Sequence, residues 1–98
     1  MTRTEIHKTL CEGLNVLYAE KNADYDDSFR LVRERIPHAI LVRLHDKLNR
    51  LTNLMINGGR KVADESIDDT LTDLANYAIM ELVERRFDEL KGTTDSGL

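Results

Sequence analysis

Residues 37–57, PHAILVRLHDKLNRLTNLMIN, place Leu41, Leu44, Leu48, Leu51 and Met55 at alternating steps of three and four. That spacing is the a/d seam of a heptad. It predicts a helix that packs along another helix at a shallow angle. Pro37 carries the backbone angle that the first helical position needs and is expected there. Asn57-Gly58-Gly59 follows, and glycine supplies the left-handed residue that ends a helix.

Such a seam needs partner helices, and the flanking sequence supplies them. Upstream, SFRLVRERI reads as a short helix started by Asp27 or Ser28 and stopped before Pro37, since the residue preceding proline is pushed out of the helical region. NADYDDS is a polar break in which Asn and Asp favour turns. Before it, TEIHKTLCEGLNVLYAEKN carries Ile6, Leu10, Leu14 and Leu17 in a helical stripe, with Thr4 as the expected cap. Downstream, RKVADES reads as a loop leading to a last helix from about Asp64 to Leu90. GTTDSGL is small and polar and is expected to be a disordered tail. The expected architecture is all-α: a small bundle of three long helices and one short one, in a single domain over residues 1–91 with a tail at 92–98.

Composition narrows the function. With 98 residues, 41% of them hydrophobic and 33% charged, the chain can fold but has only a modest core. The net charge of −4 weighs against general nucleic-acid binding, so no direct DNA contact is expected. A lone Cys11 forms no intrachain disulfide and is expected to be a small buried residue. No apolar run marks a signal peptide or a membrane span, which makes a cytoplasmic protein the expectation. Broad apolar rows, Ile40 to Met55 on one helix and Ile79, Leu82, Val83 and Phe87 on another, exceed what four helices can cover. A homo-oligomer, most simply a two-fold dimer, is expected.

The last helix carries a second pattern. Glu65, Asp69, Asp73 and Asn76 fall within roughly a quarter of its circumference. Farther along, the same stripe turns apolar at Met80 and Val83, as a cleft wall would. Acids in the first turns complement the helix dipole, but Asp73 and Asn76 lie two to three turns in. Carboxylates one turn apart can share a hard cation such as Mg²⁺. A metal site of Glu65, Asp69 and Asp73, with Asp46 across the cleft, stands beside the plainer reading of a solvated acidic face. RLHDKLNRL offers Lys47 and Arg50 to phosphates. KNADYDDSF offers Lys21 to phosphate and Tyr25 to a base, with Asn22 and Asp24 beside them. On spacing alone these are also ordinary turn and ion-pair residues.

Together KNADYDDSF, RLHDKLNRL and DESIDDTLTDLANYAIM resemble the three blocks of a phage and bacterial family, the nucleotide-modification-associated domain that is first of its named series. The blocks occur in the family's order over about residues 21–80, with Asp26 where the family has Gly. The third block is also loosely similar to the acidic helix of MazG-like all-α nucleoside triphosphate pyrophosphohydrolases, which hold Mg²⁺ and cleave between α- and β-phosphates. Glu65 and Asp69 match that motif's first Glu and its Asp. Ser66 replaces its second Glu, and only Asp46 stands near the place of the other helix's Glu pair. The resemblance implies a nucleotide or nucleotide-derived ligand for Lys21, Asn22, Asp24, Tyr25, Lys47, Arg50 and Asn76. Three roles follow: a Mg²⁺-dependent pyrophosphohydrolase, a protein that sequesters a nucleotide or cyclic-nucleotide signal against host defence, or a helical dimerisation module.

Overall fold

A computed structural model describes the backbone of residues 1–25, 28–57 and 60–96, and the side chains of residues 1–21, 28–57 and 66–92. Among these residues the chain forms α1 (Arg3–Tyr25), α2 (Ser28–Arg35), α3 (Ala39–Asn57) and α4 (Arg60–Ser96), so the fold is all-α.

Helix α1 begins with a reciprocal cap. The Glu5 amide donates to Thr2 Oγ1 (3.1 Å), and the Thr2 amide donates to Glu5 Oε2 (2.9 Å). Thr2-Arg3-Thr4-Glu5 is thus a capping box, and Thr2 rather than Thr4 holds the cap. The helix runs on to Tyr25, through the start of the expected polar break. Asn and Asp each cost a helix only roughly 0.5 kcal/mol, too little to stop a helix of 23 residues. Leu14, Leu17 and Tyr18 are half-buried, while Ile6 and Leu10 stay exposed, so only the second half of the stripe packs. Cys11 is exposed, not buried; its Sγ lies 3.8 Å from Nδ1 of His7, one turn away.

Helix α2 starts at Ser28 and ends before Pro37, as its sequence dictates. Pro37 does not open α3. It sits second in a turn closed by the Ala39 amide donating to the Ile36 carbonyl (3.0 Å), the position where proline's fixed angle fits a turn best, and α3 follows two residues later. Arg33 ties α2 to α4: Nε donates to both oxygens of Glu81 (3.1 and 3.2 Å) and Nη1 to Asp88 (2.8 Å). Hydrogen bonds to Glu81 and then Asp88 hold the guanidinium's pKa above its ordinary value.

Helices α3 and α4 form the body of the molecule as an antiparallel hairpin. Lys47 meets Asp73 and, four residues earlier, Arg43 meets Tyr77, four residues later. Ile40, Leu44, Lys47, Leu51 and Leu54 are the half-buried row on α3. The packed seam is therefore rotated from the expected one. Leu44 and Leu51 belong to both, but Leu41, Leu48 and Met55 are 53%, 49% and 59% exposed. On α4 the apolar residues opposite the acidic stripe split: Ile67, Leu74 and Ala75 are half-buried, whereas Leu71, Ala78 and Leu82 are exposed. Thr70 is 2% exposed, its hydroxyl donating to the Ser66 carbonyl (2.6 Å). Helix α4 begins at Arg60, earlier than expected, because nothing from Arg60 to Ser66 opposes a helix; its backbone continues to Ser96, past Leu90 and into the segment read as a tail. The side chains of that segment lie outside the described residues.

Candidate functional site

All four helices contribute to one open cleft of about 400 Å³. Tyr18 and Lys21 come from the end of α1, Ser28 and Phe29 from the start of α2. Arg43 and Lys47 come from α3, and Asp73, Asn76, Tyr77 and Met80 from α4. Tyr18 and Lys21, Arg43 and Lys47, and Asp73, Asn76 or Tyr77, and Met80 recur at three- or four-residue steps, so α1, α3 and α4 each turn one face to this space, and α2 adds its first two residues. The stripe that passes from Asp73 and Asn76 to Met80 does line a cleft.

The cleft has a charged side and an aromatic side. Lys47 Nζ lies 3.1 Å from Asp73 Oδ2, and the pair is partly screened from water. The Arg43 guanidinium carbon lies 5.2 Å from the Phe29 ring centre and 5.4 Å from that of Tyr77. Those rings are 6.5 Å apart and inclined by 24°. A cation over a π face is attracted by the ring quadrupole, so Arg43 is held against both rings at the cleft wall. Asn76 is 7% exposed beside this cluster. Lys21, Arg43 and Lys47 bring three positive charges to the described lining, against one carboxylate, Asp73. A chain of net charge −4 thus concentrates positive charge at its cleft.

Of the residues singled out from sequence, Lys21, Lys47, Asp73 and Asn76 meet here. Asp46 and Arg50 instead line a shallower groove along α3 with Asn49, Asn53 and Leu54, which Lys47 also borders. Asp69 is exposed and lines neither. Glu65, Asn22, Asp24 and Tyr25 have side chains outside the described residues. Among the described residues no three His, Cys, Asp or Glu side chains gather closely enough to hold a metal ion. The sequence reading missed Tyr18, Ser28, Phe29, Arg43 and Tyr77 as site residues. Signals for them existed: Tyr18 lies one turn before Lys21, Arg43 one turn before Lys47, and Tyr77 one turn after Asp73.

Comparison with family models matches residues 21–84 to Nucleotide modification associated domain 1. That stretch is well over half of the chain and contains most of the cleft, and the chain belongs to this family. The looser likeness to MazG-like enzymes has no counterpart in the match. Comparisons with curated proteins and with solved structures give no match. Among the described residues no helix is long and apolar enough to cross a membrane.

Proposed function

From membership of that family and the chemistry of the cleft, we propose that the domain binds a nucleotide or a nucleotide-derived phosphate between α1, α2, α3 and α4. One observation carries the reading: Arg43 lies over Phe29 and Tyr77 in the same cleft as Lys47 and Lys21. Phosphates need cations and a base needs an aromatic face. In this reading Lys21, Lys47 and the Arg43 edge hold phosphate oxygens. Phe29, Tyr77 and Tyr18 offer faces to the base, and Asn76 reads a polar edge. Asn22, Asp24 and Tyr25 are assigned to the cleft's rim by the family motif alone, and Arg50 to an outlying phosphate by its neighbour Lys47.

Binding without turnover is the better-supported form. The carboxylate nearest the cations, Asp73, is already paired with Lys47, and Asp69 and Asp46 do not join it in the cleft. The described carboxylates alone do not fit a Mg²⁺ site. In this reading Mg²⁺ enters as an ion carried by the ligand's phosphates, with Asp73 as the described cleft acid that would meet it; Glu65 is assigned to it by the sequence pattern alone. A capture protein acting on a nucleotide signal needs no more than this. The competing reading, pyrophosphohydrolysis, is favoured by the helical order of Glu65, Asp69 and Asp73.

Incubation with a nucleotide panel, with and without Mg²⁺, tests both. Chromatography of the solution and of ligand released by heating should recover an intact nucleotide from the protein. A nucleoside monophosphate and pyrophosphate in solution would establish turnover instead. No retention of any phosphate-bearing ligand would remove the proposal.

A further inference from the structure

The α3–α4 hairpin has two faces, and only one is used. The face bearing Arg43, Asp73, Asn76 and Met80 is roofed by α1 and α2 and forms the cleft. On α3, Leu41, Leu48 and Met55 lie about 60–100° around the helix from the packed row. On α4, Leu71, Ala75, Ala78 and Leu82 lie rotated the same way from theirs. In antiparallel helices, rows rotated in the same sense from a shared seam emerge on the same side of the pair. The contacts Lys47–Asp73 and Arg43–Tyr77 set the register, which puts Leu41 level with Ile79 and Leu48 level with Thr72. The two rows thus form one continuous apolar face, opposite the cleft. Leu71 and Leu82 are 44% and 50% exposed.

We infer that this face is the interface with a second copy of the chain, joined by a two-fold axis so that α3 and α4 of each copy make a four-helix core. One observation selects a second copy over another partner, and a second sets the scale of the interface. The first is the row itself. Leu71, Ala75, Ala78 and Leu82 are spaced four, three, four, which reads the same in both directions. Two α4 helices crossing antiparallel near residues 76–77 would set Leu71 against the other copy's Leu82, with small alanines at the centre where the backbones come closest. Such self-complementarity is what a two-fold interface requires. The second is area. The chain exposes 8022 Å², about 2,300 Å² more than a compact monomer of its 11.3 kDa mass. Permanent homodimers remove roughly 1,000–2,500 Å² per chain, and the excess is of that size.

The experiment is mass measurement combined with crosslinking. Light scattering at micromolar concentration should give twice the 11.3 kDa chain mass. In a Cys11→Ser background, Ala78→Cys should be joined to its counterpart by a short bismaleimide, whereas Val42→Cys, on the outer side of α3 and 70% exposed, should not. Leu82→Glu should halve the mass or abolish helical circular dichroism; either result follows if the monomer's core is incomplete. A wild-type mass of 11.3 kDa would overturn the inference. So would a dimer that crosslinks through Val42→Cys but not Ala78→Cys. None of these readings involves a nucleotide, so they stand or fall apart from the proposed function.

Discussion

Arg43 is the side chain on which the cleft's chemistry turns. Its guanidinium lies over two rings at 5.2 and 5.4 Å, a contact worth roughly 0.5–2 kcal/mol each in partly desolvated settings. Arg43→Ala should weaken nucleotide binding about tenfold or more in calorimetry, because it removes a phosphate partner and lets both rings drift. Arg43→Lys should restore charge but not the contact of a planar guanidinium with both rings, and recover only part of the loss. Lys47 and Asp73 make a sharper comparison, since they hold each other at 3.1 Å. Phosphate and Asp73 compete for the same ammonium. Without Mg²⁺, Asp73→Asn should therefore tighten phosphate binding severalfold, while Lys47→Ala should weaken it. If Asp73→Asn weakens binding only when Mg²⁺ is present, the carboxylate serves the cation and the acidic stripe has a metal role.

Among the elements, α2 is the shortest and depends most on a distant anchor. Arg33 reaches Glu81 and Asp88 through three hydrogen bonds from a partly buried position. Arg33→Ala should cost about 1–3 kcal/mol in urea unfolding and also disturb the cleft, since Ser28 and Phe29 ride on α2. The raised pKa of Arg33 adds no pH dependence in the neutral range: stability from a raised basic group is complete below its unfolded pKa and is lost only as pH climbs through the still higher folded value. Helix existence was legible from periodicity because Gly58-Gly59 and Pro37 punctuate strongly and few other residues do. Helix ends were not, because Asn22, Asp24 and Arg60–Ser66 disfavour helix too weakly to stop it. The seam of α3 was misjudged by one step for a specific reason. Its packed row contains Lys47, whose ammonium is satisfied by Asp73 on another helix, and a sequence shows the lysine without the partner. Cys11 was misjudged because α1 packs only through its second half.

At the scale of the whole molecule, charge and shape divide the labour. A chain of net charge −4 keeps three cations together in its cleft, and the potential of a like-signed cleft steers anions to it. The opposite face of α3–α4 exposes Leu41, Leu48, Met55, Leu71 and Leu82, the surface inferred above to receive a second copy. The cleft's cationic residues were half visible in the sequence, as Lys21 and Lys47; its aromatic half was not, because Phe29 and Tyr77 meet only after folding. Binding should also weaken as salt rises, more steeply for ligands with more phosphates. The central claim, a cleft built for a nucleotide's phosphates and base together, is tested most directly by titration calorimetry of the intact protein with a nucleoside and its mono-, di- and triphosphates. Affinity should rise with each phosphate for the wild type, and Lys47→Ala should flatten that rise while leaving the nucleoside's weak binding unchanged. Equal affinity for nucleoside and triphosphate, or a rise that Lys47→Ala leaves intact, would contradict it.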